Sequence, residues 1–246
     1  MKENIYTIPI NDAFSLDTEC PICEFVKKEE TDRIEYALGA SMMEPDARII
    51  SNEKGYCQRH TSMMYSHGNK LSHALVLETR LKYLSDVISK LKSETKPPKR
   101  IPLGKDKFKD NIKKNGEELL SSAHTCVVCE RLEYVLDGFM DNLFHIYKKD
   151  AEFRNKFFLS KGFCIRHFEL LLRYSIKHLS NEELYSFVAK LCDLEQSNLD
   201  RVTEDVEWFT KKFDYRYKDD DWKNSKDAVP RGCMKISGFI DAQYDE

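Results

Sequence analysis

Two short motifs of metal-binding residue types each occur twice in this chain. Cys20-Pro21-Ile22-Cys23 is followed by Cys57-Gln58-Arg59-His60, and Cys126-Val127-Val128-Cys129 by Cys164-Ile165-Arg166-His167. A CxxC turn lets two sulfurs reach one ion, and a CxxH at the start of a helix offers a third sulfur and an imidazole nitrogen. Zinc prefers this donor set in a tetrahedron, and three Cys with one His fill all four positions. That is the pattern of a closed structural site, not of a catalytic one with an open position. The expected cofactor is zinc, two ions per chain, held by Cys20, Cys23, Cys57, His60, Cys126, Cys129, Cys164 and His167. An iron–sulfur cluster is the alternative, disfavoured because clusters more often take four cysteines. Cys20-Pro21-Ile22-Cys23 alone would pass for a redox pair, but no βαβ pattern surrounds it and the second copy lacks the proline.

The recurrence extends beyond the ligands. The second copy lies 106 positions on at the CxxC and 107 at the CxxH. Both CxxH motifs read Lys-Gly-aromatic-Cys-x-Arg-His, and both follow an Asp-Ala pair and then Arg (Asp46, Ala47, Arg48; Asp150, Ala151, Arg154). Such agreement reads as an ancient duplication. The glycine before each aromatic-Cys pair fits a tight turn into a helix.

The elements that must position these residues are helical. Val128, Leu132, Val135, Leu136, Phe139, Met140, Leu143, Phe144 and Tyr147 recur every three or four residues after the second CxxC. Ile22, Phe25, Val26, Ile34, Ala37 and Leu38 do so more weakly after the first. Both helices are expected to start at their CxxC, where the helix N-terminus favours thiolate. Another helix is expected after each CxxH. In the first half it carries Leu71, Leu75, Leu81, Leu84, Ile88 and Leu91 with a break at Gly68; in the second, Phe168, Leu171, Leu172 and Ile176. A further helix begins after Ser180, with Glu183 completing a capping box.

The fold expected is therefore all-α: two related helical halves, each organised by a Cys3His site, with an irregular C-terminal tail. Residues 1–93 form the first repeat, 94–116 a polar basic linker or loop, 117–213 the second repeat, and 214–246 a tail docking on the helical body. Within each repeat, CxxC would meet its own CxxH. Because a helix of about 20 residues carries the chain about 30 Å away, the CxxC of one half could instead pair with the CxxH of the other.

Composition narrows the function classes. Charged residues make up 33% and hydrophobic ones 41%, with only 9 Gly and 7 Pro, which favours a soluble helical protein. The net charge of −3 gives no general attraction to nucleic acid or anionic membranes. Lys96-Pro97-Pro98-Lys99-Arg100 is read as linker rather than a nucleic-acid patch, since Phe108 is the only aromatic among the neighbouring lysines. No apolar run resembles a signal peptide or a membrane span. A cytoplasmic location is expected, where paired cysteines serve as ligands rather than disulfides.

Outside the motifs, Cys192 falls on the apolar side of its helix and is expected in the core, while Cys233 is either buried or a reactive thiol. His67, His73, His124, His145 and His178 lack ligand spacing. Asp219-Asp220-Asp221 reads as a solvated turn, its spacing lacking the alternation of a calcium loop. No phosphate loop, GxSxG elbow or HExxH is present, and no small-molecule substrate is identifiable.

The twin CxxC…GxCxxH pattern and a closing W-x-x-S-x-D-A-x-x-R-x-x-x-x-x-x-G tail (Trp222, Ser225, Asp227, Ala228, Arg231, Gly238) resemble an uncharacterised bacterial family. That family is catalogued as a domain of unknown function and sometimes labelled an ABC-transporter substrate-binding protein. The resemblance covers nearly the whole chain and implies a bacterial, soluble, Cys-rich protein of undetermined activity. Three functions remain open at this point: a zinc-stabilised interaction or scaffold protein with a protein partner, a thiol-redox or metal-responsive sensor using the same ligands, and an enzyme such as an iron–sulfur oxidoreductase.

Overall fold

The computed structural model describes residues 7–94 and 107–238. Every regular element among them is helical: α1 (Ile8–Ala13), α2 (Pro21–Leu38), α3 (Pro45–Lys54), α4 (Gln58–Ser66) and α5 (Lys70–Glu94). The chain continues with α6 (Lys107–His124), α7 (Val127–Lys149), α8 (Ala151–Phe158) and α9 (Ile165–His178). It ends with α10 (Asn181–Lys211) and α11 (Ala228–Ser237). No described helix is long and apolar enough to cross a membrane.

The starts of these helices follow from local chemistry. Both α2 and α7 begin one residue after the first cysteine of a CxxC. Pro21 suits the first helical position because its missing N–H would lack an intrahelical partner anyway. Ser180 accepts from the Glu183 amide and Glu183 reaches back to the Ser180 amide, the reciprocal cap expected for α10. Gly68, at φ +85°, separates α4 from α5. Part of the stretch 94–116 read as a linker is helical, because α6 starts at Lys107; Lys96 to Arg100 lie outside the described residues.

The chain divides into two compact units. Unit 1 comprises Met1–Lys28 and Val135–Glu246, and unit 2 comprises Glu29–Tyr134. In unit 1, α10 packs on α8, α9 and α11 around an aromatic core. Phe144, Phe153, Phe157, Phe163 and Phe187 are fully buried there, and Cys20, Cys23 and Cys164 belong to the same cluster. In unit 2, α5 packs on α3, α4 and α6, but the core is thin: Ile34, Ala37, Leu38, Met64, Cys126 and Val128. Leu71, Leu75, Leu81 and Ile88 of α5 are exposed.

Two expectations need correction. Cys192 is exposed, not in the core. The buried line of α10 runs through Phe187, Leu191 and Glu195, so Val188 sits at its edge and a residue one turn further on turns outward. The tail is not irregular throughout, since α11 forms within it and packs on α9 and α10. Before it, Trp222 lies against the Phe209 ring with centroids 5.9 Å apart. Lys212 donates from Nζ to the carbonyls of Tyr217, Lys218 and Asp220, closing the acidic turn over its amine.

Candidate metal centres

Each ligand pair is built by a helix start. Cys57 and Cys164 occupy the N-cap positions of α4 and α9 in extended conformation (φ −70° and −75°), so each sulfur faces the first turn. The histidine three residues on folds back over that turn. Gly55 and Gly162 precede them at φ +72° and +79°, backbone that a side chain would strain. A methyl group on Gly162 would also fall 2.7 Å from Glu195 Oε2.

These pairs assemble into two four-donor groups, each with its donor atoms within 4.8 Å of one another. Site 1 unites Cys20, Cys23, Cys164 and His167; site 2 unites Cys57, His60, Cys126 and Cys129. All eight expected ligands are therefore gathered, but across the repeats. The grouping of Cys20 and Cys23 with Cys57 and His60, and of Cys126 and Cys129 with Cys164 and His167, is overturned. Helix lengths explain why. The 18 residues of α2 span about 27 Å, and the 10 of α3 return only about 15 Å. For α7 and α8, with 23 and 8 residues, the corresponding lengths are about 35 Å and about 12 Å. In each half the return helix is shorter than the outgoing one and does not by itself carry the CxxH back to its own CxxC.

The donor geometry fits a tetrahedral ion. Metal–sulfur bonds of about 2.3 Å imply sulfur–sulfur edges of about 3.8 Å and slightly shorter nitrogen–sulfur edges. In site 1, Cys23 and Cys164 sulfurs are 3.6 Å apart, and His167 Nδ1 is 3.3 Å from each of the three sulfurs. In site 2, Cys57 and Cys129 sulfurs are 3.8 Å apart, with His60 Nδ1 at 3.1 to 3.4 Å from its three.

The surroundings of the two sites differ. His60 Nε2 lies 2.9 Å from Glu30 Oε1, and Arg59 donates from Nε and Nη2 to the two Glu30 oxygens at 2.8 Å. A carboxylate only accepts, so Nε2 carries the proton and Nδ1 is left for an ion. Burial would raise the Glu30 carboxyl, but the bonds from Arg59 and His60 outweigh it and hold it at about 2. Those bonds therefore stabilise unit 2 above the ordinary carboxyl value of 4.5 and are lost as pH falls from there toward about 2. Burial opposes protonation of His60, yet Cys126 and Glu30 raise it to about 10 when no ion is bound. Burial of the thiol and repulsion from Cys126 push Cys129 up to about 12. Loading an ion on these groups must therefore release protons. Glu30→Gln is expected to lower metal affinity at site 2 alone by about 10–100-fold, read by chelator competition, with site 1 unchanged.

Site 1 has a different support, one that spacing did not reveal. Lys235 of α11 is 3% exposed and donates from Nζ to the carbonyls of Glu19 (3.1 Å), Lys161 and Phe163 (3.5 Å). Its charge is met by Glu19 and Glu195 at 3.6 and 3.7 Å. Glu195 in turn accepts from the Phe163 amide at 2.8 Å, and Arg201 pairs with Glu19 at 2.6 Å. In site 2 the two strands of the knuckle join directly: the Val127 amide donates to Gly55 O, and the Thr125 hydroxyl to Lys54 O. Position 21, the counterpart of Val127, is proline and has no N–H. Lys235 ties the corresponding segments of site 1 instead. The tail carrying Ser225, Ala228 and Arg231 is held by buried Ser225 and Ala228 and by Arg231 pairing with Asp205 and Asp227.

Cys192 and Cys233 are exposed and belong to neither site. His124, although next but one to Cys126, is exposed and likewise outside both. His178 bonds Asp141 at 2.9 Å and stacks on Phe144, a packing role.

No curated protein and no solved structure matches this chain. The model of a family of unknown function, DUF6062, matches residues 1–243, and the chain belongs to that family.

Proposed function

We propose that each cluster holds one zinc ion and that the protein is a metal-stabilised interaction or scaffold protein. The observation that carries this reading is the closed donor set, three sulfurs and one imidazole at tetrahedral spacing, present twice. Zinc bound by four protein ligands supplies folding free energy and offers no open position to a substrate. The nitrogen donor in each set favours zinc over an iron–sulfur cluster. Apolar side chains left outward on α5 favour an interaction role over an enzyme. Six of the eight cysteines fall in the two clusters, a use of thiols that suits a reducing compartment such as the cytoplasm.

A duplication of one CxxC–CxxH unit accounts for the matched roles: paired N-cap cysteines, paired glycines at positive φ, and one imidazole Nδ1 facing the sulfurs in each site. The crossed ligation is then the way two copies satisfied each other.

Elemental analysis of anaerobically purified protein tests the reading. Two zinc ions per chain are expected; iron with acid-labile sulfide, or a metal content near zero, overturns it.

A further inference from the structure

The two sites are covered unequally, and the repeat makes the comparison residue by residue. All four ligands of site 1 are buried. Gly238, the C-cap of α11, covers two of its sulfurs: a methyl group there would stand 3.5 Å from Cys23 Sγ and 3.8 Å from Cys164 Sγ. Under the repeat, Cys129 is the counterpart of Cys23, and Cys57 that of Cys164. These are the two open ligands of site 2. Cys129 is exposed and Cys57 partly so, whereas Cys126 and His60 are buried. The open edge is thus a pair of neighbouring sulfurs, 3.8 Å apart.

We propose that Cys57 and Cys129 are the protein's reactive thiol pair, at which a hydroperoxide forms a disulfide and empties site 2 while site 1 keeps its ion. The proposal rests on the reading that both sites bind metal. The Cys129 thiolate attacks the peroxide oxygen, taking it as a sulfenic acid and expelling hydroxide or alkoxide. The Cys57 thiolate then attacks that sulfur and displaces hydroxide. Two protons from solvent convert the two expelled anions to water, or to water and an alcohol. Two sulfurs have each given one electron, and the peroxide has been reduced by two. His60 and Cys126 alone no longer fill a tetrahedral site. Thiol reductant reverses the sulfur chemistry, and added zinc refills the site.

The test uses full-length Cys192→Ser/Cys233→Ser protein, which lacks the two exposed cysteines outside the clusters, first verified to carry two zinc ions. Hydrogen peroxide is added, released zinc is followed with a chromogenic chelator, and the sulfurs are mapped by peptide mass spectrometry. Expected is release of one of the two ions, a Cys57–Cys129 disulfide, unmodified Cys20, Cys23 and Cys164, and recovery with reductant and zinc. Release of both ions together, oxidation of site 1 at the same rate, or retention of both ions in excess peroxide overturns the proposal. Protein that never carried two ions fails at the starting measurement, which counts against the reading of the sites instead.

Discussion

Cys126→Ser protein is expected to bind one zinc ion instead of the proposed two and to lose the ordered structure of unit 2. Cys126 is the buried cysteine of that site and also one of the six residues forming the unit's small apolar core. A structural zinc contributes about 10–16 kcal/mol in small zinc-dependent folds, comparable with the whole stability of an ordinary domain at about 5–15 kcal/mol. Ile34, Leu38, Met64 and Val128 cannot replace it. Hydrogen exchange should then show fast exchange across Glu29–Tyr134, with protection retained in α9 and α10. Unit 1 keeps its own site and a core of phenylalanines packed largely edge to face. Uniform loss of protection across both units, or none in either, would count against separate metal-dependent units.

Lys235→Met should be the most damaging single change outside the ligands, at about 3–5 kcal/mol. The amine is buried between Glu19 and Glu195 and holds carbonyls on both sides of the site 1 knuckle. Methionine fills the volume but leaves Glu195 in apolar surroundings with its counter-charge gone. Burial already raises the Glu195 carboxyl against the pull of Lys235, so the variant's deficit should grow as pH rises and that carboxyl ionises. Urea unfolding of metal-loaded protein measures the loss. Adding Glu195→Gln should restore part of it, because the stranded charge is removed with its partner. A loss below about 1 kcal/mol, the level of a surface pair, would show that the network does not brace the site.

The members of the two four-donor groups were legible in the sequence because coordination demands particular atoms at particular spacings, and the recurring motif displays each demand twice. The start of α10 was legible for a related reason, since Ser180 and Glu183 act on their own local backbone. The crossed grouping was not fixed by spacing. It depends on how far α2 and α3 carry the chain, a matter of helix length that motif matching ignores. Lys235, Glu195 and Glu19 were missed because isolated charges far apart in sequence carry no pattern. One signal pointed their way: Pro21 stands where Val127 donates a hydrogen bond in the other copy, so site 1 needed a donor from elsewhere. Cys192 shares an offset of four with Val188, but the buried face of α10 centres on Leu191, which apolar spacing alone does not distinguish.

The crossed grouping of donors also bears on how the protein is made. Translation runs from the N-terminus at about 5–20 residues per second, so Cys20, Cys23, Cys57 and His60 are the first four donors to leave the ribosome. An ion captured by that premature quartet would strand the later cysteines. Helix formation takes about a microsecond or less, so the 18-residue α2 has time to form before residue 57 emerges, leaving a rigid helix in the chain between the two early donor pairs. On this account the rigidity of one helix selects, during synthesis, which donors share an ion.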